Sequence, residues 1–358
     1  MISNDITRLR LVNQQLVNQL FIQPDELISW MGCIQAQDFA GATWGLGSRL
    51  KNITEAAIEQ HFNEGTILRT HVLRPTWHFV SPKDIHWMLQ LTAPKIKALS
   101  KGYHQQLGID YRILQRSKTI IIRALEKNKK MTREALELLL NKEKIDTGNG
   151  RIGAILMDAE LDALICNAGR DGKQFTYVLL DKPPKKESWL SRDEAIATLA
   201  RRYFISRGPA TVQDFAWWSG LNITESRKGI EMNKRQLEYA VINGNAYWFF
   251  VDQPVSKPKS DAFFLLPAFD EYTVAYKDRT AMLDPKFFTV AGAGLNPIII
   301  RSGRIRGTWK RTETKDTIQI EARLFENSDK PSLKKITTAL KKYGEFRGKK
   351  IVLKCEGK

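Results

Sequence analysis

Two glutamines stand two residues apart in "WMGCIQAQDFAG", Gln35 and Gln37, with Asp38 directly after. Glutamine is a poor acid and a poor base, but its carbonyl accepts hydrogen bonds and its amide nitrogen donates them. A pair of amides suits the handling of a water or a substrate rather than strong proton transfer. The competing reading is packing. Gln35 falls four residues after Met31, on the face that a helix would share with Leu27 and Ile28, where a buried amide could be satisfied within the core. Joint action sets a geometric condition. Residues two apart on a regular helix point about 200° away from each other. Both glutamines reach one target only where the helix ends or the backbone extends. "DFAGATWGLG" follows, and its glycines permit such a break.

Three further groups could do chemistry. The stretch "RTHVLRPTWHFV" offers Arg69, His71, Arg74, Trp77 and His78. Arg69 and His71 share a face of a strand, but no third ligand accompanies the histidines, so no metal site is expected. "PAFDEYTVAYKDR" holds the adjacent acids Asp270 and Glu271, read here as partners of arginines rather than as catalysts. "RSGRIRGTWKR" sets Arg301, Arg304, Arg306, Lys310 and Arg311 around a glycine turn, with Trp309 among them. Such a hairpin suits a groove or a phosphate ridge; the alternative is an ordinary basic hairpin.

The elements that must position these residues follow a recurring outline. "DITRLRLVNQQL", "QPDELISWMGCIQ" and "NITEAAIEQHFNEG" read as helices, the last with Thr54 as cap and Gly65 as stop. "TILRTHV" and "TWHFVS" then form a hairpin. The order recurs with "MTREALELLLNKEKI" and "RIGAILMDAELDALICNAG" as helices and "FTYVLLDKP" as a strand. It recurs again, after the linker "DKPPKKESWLSRDE", with three helices and a hairpin at Asn243-Gly244-Asn245. Helices followed by a two-stranded wing outline a winged helix. From about Asp261 the chain reads as strands, one helix and a final strand. The expected fold is α+β: three tandem winged-helix units over 1–100, 101–185 and 186–256, then a β-rich C-terminal unit over 257–358.

At 358 residues, several domains are expected. Lys and Arg number 56 against 39 Asp and Glu, a formal net charge of +17, which favours a polyanionic partner. Nucleic acid comes first and an acidic membrane surface second. Thr92–Lys130 and Pro331–Lys358 carry most of the excess; a lysine-rich helix is also often only a solvated face. Cys33, Cys166 and Cys355 form no C-x-x-C pair, which argues against zinc ribbons and thiol redox sites. No signal peptide and no membrane-spanning run is read, so a bacterial cytoplasmic protein is expected.

Taken together, "IQAQD", "LRPTWHFV", "RGPATVQDFAWWSGL", "LLPAFDEYTVAYKDR" and "GRIRGTWKR", in this order and spacing, resemble the AlkZ/YcaQ-like family of bacterial DNA glycosylases, a winged-helix DNA-binding family. The resemblance spans nearly the whole chain. It implies three tandem winged helices in a C shape with a concave basic surface, excision of alkylated purines, notably N7-alkylguanine, and in some members unhooking of interstrand crosslinks. It implies no metal or organic cofactor. The family's Q-x-Q motif falls on Gln35 and Gln37. Asp38 lies one position late for the Q-x-D pattern of the other branch and is given no role. Arg74 and His78 match family positions and are expected near the DNA or the lesion. Duplex DNA is the expected partner, with no membrane and no obligate protein partner.

Two other functions compete. A transcription regulator or architectural protein would use the same modules without chemistry and release its DNA intact. A partner-binding scaffold would show little salt dependence in any DNA affinity.

Overall fold

The computed structural model describes residues 3–181, 190–251, 261–325 and 330–355. Most of the expected linker "DKPPKKESWLSRDE" and the expected boundary at 256/257 lie outside these residues. In chain order the elements are α1 (Ser3–Asn13), α2 (Pro24–Met31), β1 (Cys33–Gln35), α3 (Phe39–Gly47), α4 (Glu55–Asn63), β2 (Leu68–Val72), β3 (Thr76–Val80), α5 (Ile85–Gln106), α6 (Tyr111–Asn128), β4 (Lys130–Thr132), α7 (Arg133–Lys142), α8 (Arg151–Leu161), β5 (Ile165–Asp171) and β6 (Gln174–Leu179). There follow α9 (Arg192–Arg207), α10 (Val212–Ser219), α11 (Ile223–Met232), β7 (Leu237–Ile242), β8 (Asn245–Phe250), β9 (Phe263–Leu266), α12 (Glu271–Val274), β10 (Ile298–Arg301), β11 (Arg304–Glu313), β12 (Thr317–Leu324), α13 (Lys330–Arg347) and β13 (Lys350–Cys355). The α+β class expected from the sequence is present.

Contacts divide the chain into two compact units. One is Met1–Ile58 with Ile196–Lys358, and the other is Glu59–Ala195. This division differs from four consecutive segments, because the first 58 residues pack with the last part of the chain. In the Glu59–Ala195 unit the strands run β3-β2-β5-β6-β4. Ile121, Leu125, Leu136, Leu140, Ile155 and Ile165 share one core there. Thr92–Lys130, treated above only as charge, is mainly α5 and α6. Its Lys97 and Lys118 pair with Asp158 and Asp162, so part of that charge is spent inside the fold. The helix expected across "RIGAILMDAELDALICNAG" stops at Leu161, and β-branched Ile165 opens β5 instead.

In the other unit, α9 to α11 precede the β7–β8 hairpin. Capping boxes start α10 at Thr211 and Asp214 and α11 at Asn222 and Glu225. Asn243 and Gly244 both take positive φ, 49° and 76°, as a two-residue hairpin turn requires. Beyond them a five-stranded sheet runs β13-β12-β11-β10-β9, antiparallel except for the parallel pair β12–β13. α13 crosses over between those two strands, as a parallel connection demands. "LLPAFDEYTVAYKDR" is strand only as far as Leu266, then turns into the short α12.

The glycines after the Q-x-Q segment serve packing rather than a break in the chain. α3 is buried at every position but Ala40. A methyl on Gly47 would come 2.4 Å from the Phe346 ring of α13, and one on Gly45 would come 3.3 Å from Asp270. Trp44 completes the contact: its indole donates to Leu265 O at 2.7 Å and its ring meets Tyr343 edge-on. Gly47→Ala is expected to lower stability by about 1–3 kcal/mol, the usual cost of overpacking a close contact. Urea unfolding of the variant against wild type measures it.

Candidate functional site

α2 opens with Pro24, Asp25 and Glu26 and ends at Gly32, whose φ of 79° reverses the chain. Extended backbone follows immediately as β1. Gln35 is therefore not on the α2 face with Leu27 and Ile28, which removes the packing reading drawn on that helix. Along Gln35-Ala36-Gln37 the side chains are half-buried, fully buried and exposed. The strand ends at Gln35 and the chain bends at Gln37, with Ala36 buried between two residues that both reach solvent. Asp38 is exposed and begins α3. The condition set by the spacing is met by an extended segment between two helices.

What holds that segment is a buried carboxylate. Glu271 Oε1 accepts the Gln35 N–H at 2.8 Å. Its other oxygen accepts from Arg207 at 2.6 and 3.0 Å and from the Trp218 indole at 3.1 Å. Arg207 reaches past the carboxylate to the carbonyls of Met31 at 2.6 Å and Cys33 at 2.9 Å. Residues on both sides of the Gly32 reversal are thus tied to one ion pair. Arg207 and Glu271 are 0% and 1% exposed, so the pair sits away from solvent.

A second pair lies beside the first. Arg49 grips Asp270 with two bonds of 2.9 and 2.6 Å, and Gln14 accepts from the same guanidinium at 3.0 Å. Gln14 in turn donates to the Tyr276 hydroxyl, which donates to Arg207 O. Burial pushes the Tyr276 phenol up to about 12, so it remains a donor at any physiological pH. Arg10 lies over the Tyr276 ring, 3.6 Å from its centroid. Asp270 and Glu271 are partners of arginines, as the sequence suggested. The residues it missed are the partners: Gln14, Arg49, Arg207 and Trp218. Arg207 precedes "GPATVQDFAWWSGL" directly, but nothing local marks it as buried.

The basic hairpin belongs to the same unit. Its turn is Ser302 and Gly303, with φ of 51° and 79°. The Tyr272 hydroxyl donates to Gly303 O at 2.8 Å, and a methyl on Gly303 would strike Thr7 of α1. The turn is therefore fastened to the residue next to Glu271. Arg306 and Lys310 are exposed and Arg304 half-buried. Arg301 is committed to Asp261 through bonds of 2.5 and 2.8 Å, which with Lys335 hold that carboxyl well below the usual range. Arg311 donates to the Tyr343 hydroxyl at 2.7 Å. Trp309 is not available to a groove. It is 3% exposed, its indole bonded to Leu266 O, because alternation along β11 turns it toward α13.

Arg74 and His78 lie in the β2–β3 hairpin of the Glu59–Ala195 unit. Arg74 is half-buried, and His78 is fully buried with Nδ1 2.8 Å from Thr76 O. Arg69 and His71, expected on one face, are both buried. His71 Nδ1 lies 2.6 Å from Glu160, and Arg69 bonds Asn167 and stacks on Trp77. Burial pulls the Arg69 guanidinium down to about 10.

The glutamine segment, the buried ion pair that pins it and the basic hairpin thus lie in one unit. Residues 28–346 match the family described as DNA glycosylase AlkZ-like, and the chain belongs to that family. It is a DNA glycosylase, a DNA-repair enzyme, and the non-catalytic alternatives give way. An interstrand DNA cross-link repair glycosylase of Streptomyces sahachiroi is 21% identical over 299 residues, covering 77% of this chain and 79% of the relative. The solved structure of the Streptomyces sahachiroi DNA glycosylase AlkZ superposes with a TM-score of 0.81 at 17% identity, covering 99% of each chain, and shares the fold. No helix among the described residues is long and apolar enough to cross a membrane.

Removing one member of a buried ion pair leaves the other uncompensated, at a typical cost of about 3–5 kcal/mol. Glu271→Ala is expected to show a loss of that size in urea unfolding. The Glu271→Ala, Arg207→Met double variant is expected to recover part of it.

Proposed function

We propose that this chain hydrolyses the N-glycosidic bond of N7-alkylated guanine in double-stranded DNA, using a water held by Gln35 and Gln37. The observation that carries the reading is that the chain leaves α2 at Gly32 and passes through β1 into a bend, where Ala36 is buried while Gln35 and Gln37 both reach solvent. Spontaneous loss of a normal purine is slow because the base leaves poorly. N7 alkylation places a positive charge on the base and weakens the C1′–N9 bond beforehand. As that bond breaks, its electron pair neutralises the departing base and an oxocarbenium-like sugar develops. Water adds to C1′ and releases a proton, leaving an abasic site. Amide carbonyls orient the water and set partial negative charge against the sugar cation. Neither task calls for a strong base. Neutral amides also leave undamaged purines, which need acid assistance, largely untouched. Interstrand crosslinks through guanine N7 belong to the same chemical class, and the cross-link repair activity in the relative's name supports extending the reading to them.

The DNA-binding reading rests on three helix-then-hairpin segments, interpreted as tandem winged helices with a concave basic surface, and on the β10–β11 hairpin. Arg304, Arg306 and Lys310 are the proposed phosphate contacts, with Arg301 and Arg311 shaping the hairpin through Asp261 and Tyr343. Arg74 and His78 are proposed to lie near the DNA or the lesion, His78 from a buried position. Neither a metal nor an organic cofactor enters the chemistry.

Incubation with N7-methylguanine duplex, followed by alkaline cleavage at abasic sites, tests the activity. Gln35→Ala and Gln37→Ala are each expected to reduce excision about 100-fold or more, the scale of losing one preorganised polar contact, with duplex affinity nearly unchanged. Undiminished excision in both variants would sink the water-holding role. Each of Arg306→Ala and Lys310→Ala is expected to weaken binding evenly across sequences and to flatten the log–log salt dependence of affinity by about one.

A further inference from the structure

Phe269 is a large apolar side chain left 40% exposed on a backbone with φ of 57°. A bulky residue seldom takes that left-handed conformation, because its β-carbon crowds the backbone. The surroundings impose it. The Phe269 N–H donates to Leu295 O at 3.0 Å. The next residue, Asp270, is clamped by Arg49 and accepts the Tyr272 N–H at 2.8 Å. At 40% exposure the residue leaves much of its surface in solvent while its backbone is held in a conformation that glycine would adopt without strain. Strain retained in a rigid frame is a feature of functional sites.

The location supplies the reason. Two contacts tie this loop to the glutamine segment, one on each side of Phe269. Glu271, two residues after it, accepts the Gln35 N–H. Pro267, two residues before it, packs on α3 so closely that a methyl on Gly41 would come 3.2 Å from its Cβ. Gln35 and Gly41 bracket Gln37 and Asp38, both exposed. The loop that carries Phe269 therefore runs alongside the segment that carries Gln37.

We infer that Phe269 stacks on the alkylated purine and holds its C1′ against the water bound by Gln35 and Gln37. This rests on the function proposed above. N7 alkylation makes the purine a flat cation, and an aromatic face attracts a flat cation through stacking and through its quadrupole. The attraction weakens as the base leaves neutral, which favours its release. The strained backbone fixes the ring independently of the DNA, so no ordering is required of it on binding.

Phe269→Gly, Phe269→Leu and Phe269→Tyr test the inference in single-turnover release of 7-methylguanine from duplex DNA. Phe269→Gly loses the buried part of the ring but gains a residue suited to φ of 57°, so it is expected to fold. It is expected to release base roughly 10- to 100-fold more slowly, the scale of one base–aromatic contact, with unchanged affinity for undamaged duplex. Phe269→Leu is expected to be as slow, and Phe269→Tyr to return near the wild-type rate. Wild-type rates in Phe269→Gly overturn the stacking role. So do wild-type rates in Phe269→Leu, which indicate an aliphatic wedge in the base stack rather than a face for the cation. If wild type itself releases no 7-methylguanine, the proposed function falls and this role with it; an active wild type beside an unimpaired Phe269→Gly overturns the stacking alone.

Discussion

The Q-x-Q strand has its shape because one carboxylate is buried beneath it. Glu271 takes the Gln35 N–H on one oxygen and the Arg207 guanidinium on the other, and Arg207 reaches two carbonyls on either side of Gly32. Burying two charges is costly, and the return comes only when all their bonding capacity is met in good geometry. Here that condition works as a gauge. A shift of one residue in the path after α2 would cost Glu271 the Gln35 N–H and Arg207 the carbonyls of Met31 and Cys33. The backbone of the glutamine segment is thereby fixed while Gln35 and Gln37 still reach solvent.

The same logic repeats around it. Arg49 with Asp270 secures the loop that delivers Glu271, and Gln14 links that pair through Tyr276 back to Arg207 O. Tyr272 fastens the basic hairpin to α1. The glutamine segment and the basic hairpin thus hang from one polar network drawn from α1, α9, α12 and the chain just after α3. Apolar contacts between α3 and α13 close the unit beside it. Such networks are stringent: complete, they specify a single arrangement, and incomplete, they are worse than an apolar core.

Much of the local structure was legible in the sequence because it is encoded locally. Periodicity and caps gave α1, α4, α9, α10 and α11, and Asn243-Gly244 gave the β7–β8 turn. Gln35 and Gln37 stood out because their spacing makes sense only off a helix. The Asp270 and Glu271 ion pairs were anticipated in kind, since buried acids in a basic chain need arginines. Their partners were not, because Arg207 looks like any arginine at a helix end until the fold removes its water. Trp309 was misjudged because its neighbours are charged, whereas strand alternation turns it inward. The glycines of α3 permit a break on sequence alone, since sequence cannot separate a glycine that frees a chain from one that lets two elements touch. Phe269 gave no signal at all, because a positive φ on phenylalanine is imposed from outside.

The discontinuity of the first unit has a consequence for synthesis. The ribosome delivers Gln35 and Gln37 early, yet the arginine that fixes their strand comes some 170 residues later and the carboxylate later still. α3, nearly all apolar or glycine, waits for the Phe346 ring of α13. Contacts of such long sequence separation form slowly. The strand before Gln37 therefore acquires its full set of contacts only after Arg207 and Glu271 have been made, and α3 its closest one only after Phe346.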